Sequence, residues 1–392
     1  MLNTSFSPWP CFSEDEANAV KSTLLSNKVN YWTGNKCRKF EKKFASYTGC
    51  QYAIALANGT LALDLALKAF GVGYGDDVIV TPRTFLASVS SIVTAGANPI
   101  FADVDLNSQN ITAESIKAVL TPKVKAVIVV HLAGMPAEMD SIMKLSEENN
   151  FYVLEDCAQA HGATYKGRSV GSIGHIGAWS FCQDKIMTTG GEGGMITTND
   201  ESLWSAMWSY KDHGKSYDAV YNLKHPKGFR WLHHSFGTNW RMTEMQAAVG
   251  LIQIQKMPSW TKIRRLYADR LNLECSKFKS IKTISVPEYI THANYKYYIF
   301  VDDSLLKKGW DRERLIEEIN NLGVPCYHGV CPEVYLEKAF DNTRWRPPQR
   351  LSNAKLLGES SLMFLVHPTL TDAEINLTCS AISSVFSKAC LN

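Results

Sequence analysis

With 392 residues, 41 Lys+Arg against 38 Asp+Glu and a formal charge of +3, the chain is long enough for two domains, each with its own core. Hydrophobic residues at 45% and charged residues at 20% exclude a disordered chain, and a pI near 8.2 lacks the basic excess of a nucleic-acid binder. The longest apolar run, around Ala126–Val130, falls far short of the ~18 residues of a membrane span. Met1-Leu2-Asn3-Thr4-Ser5 has neither the basic nor the apolar region of a signal peptide, so a cytoplasmic protein with no membrane or nucleic-acid partner is expected. The ten cysteines are irregularly spaced, with no CxxC pair, and read as reduced thiols with no metal site.

Taken in chain order, Ser13-x-x-Glu16 is a capping box that opens a helix over Ala17–Leu25. Between Gln51 and Thr198, short apolar runs alternate with helical patterns. The strands are expected at Tyr52–Ala57, Val78–Thr81, Ile100–Ala102, Ala126–His131, Phe151–Glu155 and Met195–Thr198. Helices are expected at Thr60–Phe70, closed by Gly71, and at Asp140–Asn149. This alternation predicts an α/β domain with a mainly parallel sheet, whose ligands sit at the carboxyl ends of the strands. Trp204–Trp240 loses periodicity and reads as a long, partly irregular excursion. Thr243-Glu244-Met245-Gln246 starts a helix to about Lys256 that bridges into a smaller C-terminal domain. There, helices at Lys262–Phe278, Asp311–Leu322 and Ile375–Lys388, the last opened by the capping box Thr371-x-x-Glu374, and a strand at Tyr295–Val301 are expected. The expected division is a large domain over 1–249 and a small α/β domain over 250–392.

Three places just after strands offer chemistry. Asn58-Gly59-Thr60 joins a strand to a helix, where backbone N–H groups and a hydroxyl can hold a phosphate or merely cap the helix. Asp156 ends an apolar strand, where a carboxylate needs a cation or several donors; a protonated cofactor ring, a helix cap or a salt bridge would each serve. Lys185 stands between Ser180 and the glycine-rich stretch Gly190–Gly194, either as a solvated amine or as a nucleophile. Gly71-Val72-Gly73-Tyr74-Gly75 follows a helix and not a strand, which argues against a dinucleotide site.

In order, the blocks NGTLALDLALKAFGVGYGDDVIV, PIFADVD, EDCAQAHGA, SFCQDKIMTTGGEGGM and NWRMTEMQAAVGL resemble the DegT/DnrJ/EryC1/StrS family of pyridoxal-phosphate-dependent sugar aminotransferases. The resemblance implies a type I aminotransferase fold and pyridoxal 5′-phosphate, cycling with its pyridoxamine form, as cofactor. It implies that Lys185 carries the cofactor and shuttles the proton while Asp156 pairs with the ring nitrogen. Gln159 is expected beside the cofactor's 3-oxygen and Phe85 stacked on the ring. Asn58, Gly59, Thr60 and Ser180 are expected around the phosphate, with Asn239 reaching it from the second subunit of a homodimer. Two departures stand out: Cys182-Gln183-Asp184 places a carboxylate beside Lys185, and Asn58 occupies a position where many members have serine.

The resemblance further implies L-glutamate as amino donor and a nucleotide-linked keto-deoxy sugar as acceptor. The block GTNWRMTEMQAAVGL is more similar to members acting at C4, which favours a 4-keto-6-deoxyhexose and an amino-sugar product for a surface polysaccharide or related glycan. A 3-keto sugar acceptor, or a pyridoxamine-dependent sugar dehydratase on the same fold, is the alternative; a retained Lys185 argues for amino transfer. A DNA-binding or sensory regulator would need a basic recognition helix. Lys211, His213, Lys215, Lys227, Arg230 and Trp231 in the excursion are candidates for gripping the nucleotide, and His328 for touching the sugar.

Overall fold

The computed structural model describes residues 6–391; the stretch 1–5, considered above for a targeting signal, lies outside the described residues. Two helices, α1 (Glu14–Leu25) and α2 (Lys36–Thr48), lead into the alternating region. The capping box at α1 forms, with the backbone N–H of Ser13 donating to the Glu16 carboxylate at 2.8 Å. Then follow β1 (Tyr52–Leu56), α3 (Gly59–Ala69), β2 (Asp77–Val80), α4 (Ala87–Thr94), β3 (Asn98–Phe101), α5 (Ala113–Val119), β4 (Val124–Val130), α6 (Met139–Asn149) and β5 (Tyr152–Asp156). Two short strands, β6 (Thr164–Tyr165) and β7 (Arg168–Ser169), precede β8 (Ile176–Ser180) and β9 (Gly194–Thr198).

Seven strands form one sheet in the order β1-β9-β8-β5-β4-β2-β3, in which β9 alone runs against the rest. The central strand β4 is apolar almost throughout because both its faces are covered. Its alternation sends Ala126, Ile128 and Val130 into a core shared with α3 and α4, and Val127 and Val129 into one shared with α5 and α6. The α/β class and the mainly parallel sheet are therefore as expected.

Strand β5 ends in two buried carboxylates facing opposite ways. Glu155 accepts from His131 Nε2 at 2.9 Å and from the backbone N–H groups of Gly171, Ile173 and Gly174 at 2.8, 2.8 and 2.6 Å. The Ala137 N–H donates to His131 Nδ1 at 3.1 Å, so the ring proton resides on Nε2. Burial pushes the Glu155 carboxyl up, but His131 and the backbone donors outweigh it and hold it below its ordinary range. Its stabilising contribution is thus present above the ordinary glutamate pKa and is lost as pH falls through the depressed folded value. Glu155→Gln is expected to cost about 3–5 kcal/mol, read from urea-unfolding midpoints at neutral pH, with the deficit shrinking in acid.

The excursion is more regular than its sequence suggests. Trp204 lies in α7 (Glu201–Tyr210), which Asp200 caps through Leu203 N–H at 2.9 Å, and a short α8 (Tyr217–Tyr221) follows. Two further helices expected separately are one: α9 spans Glu244–Cys275 with Pro258 inside it. Proline removes one backbone donor, yet apolar packing on both sides carries the helix through. Ala247, Ile254 and Met257 join the core around Phe40 and Phe181, while Tyr267, Leu271 and Cys275 join the C-terminal core. The boundary expected at 249/250 thus falls inside α9, and Phe6 packs into the C-terminal core.

Beyond α9 come β10 (Ile281–Thr283), β11 (Ile290–Thr291), β12 (Tyr297–Val301), α10 (Arg312–Asn321), β13 (Cys326–Tyr327), α11 (Ser352–Ser360), β14 (Ser361–Phe364) and α12 (Asp372–Ala389). Four of these strands form an antiparallel sheet in the order β10-β12-β14-β13, packed against α10, α12 and the end of α9. The capping box Thr371-x-x-Glu374 opens α12 as expected. All ten cysteines are free thiols. Among the described residues, no helix is long and apolar enough to cross a membrane.

Candidate active site

At the carboxyl edge of the large sheet, a cavity of about 600 Å³ collects residues that follow four different strands. Asn58, Gly59 and Thr60 follow β1, Thr84 and Phe85 follow β2, Asp156 ends β5 and Ser180 ends β8. Gln159 and Lys185 line the same cavity.

The side chain of Asn58 accepts from Leu61 N–H at 3.0 Å, so this residue caps α3 and fixes the direction of its N-terminus. Around it the backbone is packed to glycine tolerance. A Cβ on Gly59 would lie 2.6 Å from Ser180 Cβ, and one on Gly194 would lie 2.2 Å from the Asn58 carbonyl oxygen. The helix N-terminus and the Ser180 hydroxyl thereby border a tight space that could hold a phosphate and that a larger side chain would fill or distort. Gly194→Ala is expected to weaken cofactor affinity at least about tenfold, measured by equilibrium titration with pyridoxal phosphate; unchanged affinity would contradict the cradle.

Asp156 is buried. Its Oδ2 accepts from Ser88 Oγ at 2.8 Å and its Oδ1 from Ala158 N–H at 3.1 Å. Burial pushes its carboxyl above the ordinary range despite these donors and the charge of Lys185. The two donors therefore leave a partly uncompensated carboxylate, which suits a cationic partner such as a protonated ring nitrogen. Of its alternative readings, a backbone cap is realised in part through Ala158, and among the described residues Asp156 has no salt bridge.

Lys185 is mostly buried, and its backbone is anchored by Trp9 Nε1–H, which donates to the Lys185 carbonyl at 2.9 Å. Its Nζ stands 3.6 Å from Asp184 Oδ1 and 5.3 Å from the ring centre of Tyr295. Asp184 therefore faces the lysine. Burial pushes the Asp184 carboxyl up, but Lys185, the Tyr295 hydroxyl and Lys296 bring it below its ordinary value. Gln159 is nearly buried, and its Oε1 accepts from Ala133 N–H at 2.9 Å. Phe85, 69% exposed, stands at the cavity rim.

The nucleotide candidates scatter. Lys211 departs from expectation: it is fully buried, with Nζ 3.7 Å from the ring centre of Tyr31 and 4.0 Å from Asp212 Oδ2. An amine sealed in the interior cannot grip a nucleotide arriving from solvent, so Lys211 leaves that set. Lys215 pairs with Asp212 at 3.0 Å. His213, Lys227, Arg230 and Trp231 are exposed, and Trp231 packs edge-on against Phe229. Asn239 is exposed and outside the lining of its own chain's cavity. His328 bonds to Glu313 at 2.7 Å, also outside that lining.

Sequence reasoning missed Ser88, Thr84 and Tyr295. Thr84 and Ser88 are four residues apart, and their hydroxyls meet at 2.8 Å beneath Asp156. That spacing at a helix start was the available signal. Nothing local marks Tyr295.

The set fits pyridoxal phosphate: a glycine-tight phosphate cradle, a buried carboxylate lacking a cation, and an amine within the same cavity. Comparison with known proteins agrees. The DegT/DnrJ/EryC1/StrS aminotransferase family matches residues 10–383. An aminotransferase structure from Psychrobacter cryohalolentis is 61% identical, covering 97% of this chain and 99% of that chain, with a TM-score of 0.96. GDP-perosamine synthase of Caulobacter vibrioides is 34% identical over 88% of this chain and 89% of its own length. Spore coat polysaccharide biosynthesis protein SpsC of Bacillus subtilis is 34% identical over 96% of this chain and 95% of its own. The chain accordingly belongs to the DegT/DnrJ/EryC1/StrS aminotransferase family and is a pyridoxal-phosphate-dependent aminotransferase of the type I fold.

Proposed function

We propose that this enzyme moves an amino group from L-glutamate to a nucleotide-linked 4-keto-6-deoxyhexose, making an amino sugar for a surface polysaccharide or related glycan. The observation that carries the reading is the convergence of Lys185, Asp156 and the glycine-tight cradle on one cavity. The names of two relatives, a GDP-perosamine synthase and a spore coat polysaccharide protein, support an amino-sugar role.

When bound, pyridoxal phosphate supplies an electron sink that makes the donor's α-hydrogen removable. The residues of this chain do the rest. The N-terminus of α3 and Ser180 hold the phosphate, and Asp156, with Ser88 behind it, keeps a proton on the ring nitrogen. Gln159, braced by Ala133, would serve the cofactor's 3-oxygen, and Phe85 at the cavity rim would cover its ring. Lys185 would take the proton from the donor's α-carbon and set it down on the cofactor's C4′ within the same half-reaction, and would make the reverse transfer to the acceptor carbon in the second, so one amine serves both.

The proposed working form is a cytoplasmic homodimer in which Asn239 of one copy reaches the phosphate held by the other. Support comes from the exposed aromatics beside it, with Trp231 82% and Phe236 99% exposed in the chain taken singly. In that arrangement, His213, Lys227, Arg230 and Trp231 are available to the nucleotide, with His328 offered to the sugar. The decisive experiment combines purified holoenzyme, L-glutamate and a panel of nucleotide-linked 4-keto and 3-keto sugars, with products read by mass spectrometry. An aminated 4-keto sugar supports the reading; amination confined to 3-keto sugars, or loss of a hydroxyl as water, overturns it.

A further inference from the structure

The carboxylate beside the active lysine is the feature of the Cys182-Gln183-Asp184 segment that departs from the family pattern. We propose that Asp184 is a positioning residue acting as counter-ion to the nitrogen of Lys185, and that Tyr295 locks it in place. This inference rests on the reading of Lys185 as the lysine that carries the cofactor.

Geometry supplies the argument. Asp184 Oδ1 stands 3.6 Å from Lys185 Nζ, while Oδ2 accepts the Tyr295 hydroxyl. Tyr295 arrives from the C-terminal side of α9 and is held firmly. Its N–H donates to the Ala133 carbonyl at 2.9 Å, and its own carbonyl accepts from buried Arg264 at 3.3 Å. The Tyr295 ring lies between two amines, with Lys185 Nζ 5.3 Å and Lys296 Nζ 5.0 Å from its centre. Asp184 is therefore held on one side by a buried phenol, faces the Lys185 nitrogen at 3.6 Å on the other, and leaves more than half of its side chain to solvent.

The charged groups around this pair are few. Lys185, Lys296 and the Tyr295 hydroxyl face Asp184; Asp156, His161, Arg264 and the Tyr298 phenol lie around Lys185 and Tyr295, and Glu192 lines the same cavity. Burial, with Arg264 beside it, brings Lys296 down to about 8. His161, brought down to about 3 chiefly by burial, is neutral at ordinary pH. Asp184 is thus the nearest negative charge for a nitrogen that must hold a proton and then release it. A carboxylate there favours the protonated nitrogen, so removing it makes the proton leave at lower pH.

The test is a pH titration of the visible absorption band of the holoenzyme. In Asp184→Asn, the proton affinity reported by that band is expected to fall about tenfold, a discount on full burial because the carboxylate is partly exposed. Tyr295→Phe should shift the midpoint in the same direction by less, and Asp184→Glu should restore most of it. A midpoint unmoved in Asp184→Asn overturns the proposal. Cofactor-free protein provides a second arm: the melting-temperature shift caused by Asp184→Asn should be smaller in a Lys185→Met background, the remainder reflecting Tyr295 and Lys296. An equal shift in both backgrounds also overturns it. Wild-type protein that shows no visible band after incubation with pyridoxal phosphate would defeat the proposed function, while the cofactor-free cycle would still decide the ion pair.

Discussion

Lys185→Met is expected to lower the rate of amino transfer by about 10⁴-fold or more, because in the proposed function one amine both carries the cofactor and moves the proton in each half-reaction. The substitution preserves most of the side chain's bulk in its mostly buried setting. The backbone anchor also survives, since Trp9 donates to the Lys185 carbonyl and the Lys185 N–H donates to the Cys182 carbonyl at 3.1 Å. Loss of activity should therefore come without loss of fold. Single-turnover absorbance with L-glutamate measures the effect, and circular dichroism checks the fold. Added methylamine should restore part of the rate by replacing the missing base. A variant that turns over within tenfold of the wild type would remove Lys185 from its role.

Asp156→Asn should separate activity from stability in opposite directions. Amino transfer is expected to fall about 10²–10⁴-fold, because an amide cannot keep the ring nitrogen protonated. Folding of the cofactor-free protein should not suffer. The Asp156 carboxyl is raised in the folded state above its unfolded value, chiefly by burial, so the folded state binds this proton more tightly. Its ionisation therefore works against folding at neutral pH, and that penalty is relieved as pH falls through the raised folded value. Asn has no such charge and can still accept from Ser88. The cofactor-free variant should thus unfold at equal or higher urea concentration than wild type at pH 7, with the difference closing in acid. A marked destabilisation at neutral pH would mean that Asp156 is a structural carboxylate.

Glu155 shows the contrast one residue earlier. It has four donors, including His131, and its carboxyl is held below the ordinary range. Two adjacent acidic residues at one strand end thus look alike in the sequence, yet one is fully satisfied and the other is left needing a cation. Only the strand's alternation, which turns them to opposite faces, separates them.

Much of the fold was legible because it depends on short-range patterns. The alternation of apolar strands with helices, the two capping boxes and the glycines at element ends are local signals, and each appears where the spacing put it. The positions of Asn58, Asp156, Ser180 and Lys185 relative to those strands were enough to bring them to one edge of a parallel sheet. A parallel sheet gathers whatever follows its strands.

What the sequence could not decide were contacts across long separations. Tyr295 reaches Asp184 from the segment between β11 and β12, and no periodicity links positions so far apart. The burial of Lys211 depends on Tyr31 and Asp212 closing around it, although its basic, aromatic-rich surroundings suggested a solvent-facing grip. The continuity of α9 through Pro258 depends on apolar contacts to two cores outweighing one missing hydrogen bond. The sequence by itself determined the sheet and the residues along its edge, because hydrophobic periodicity and turn chemistry act over a few residues. The tertiary structure alone decided which charges are buried, paired or left wanting, because desolvation and Coulomb energy depend on distances in space.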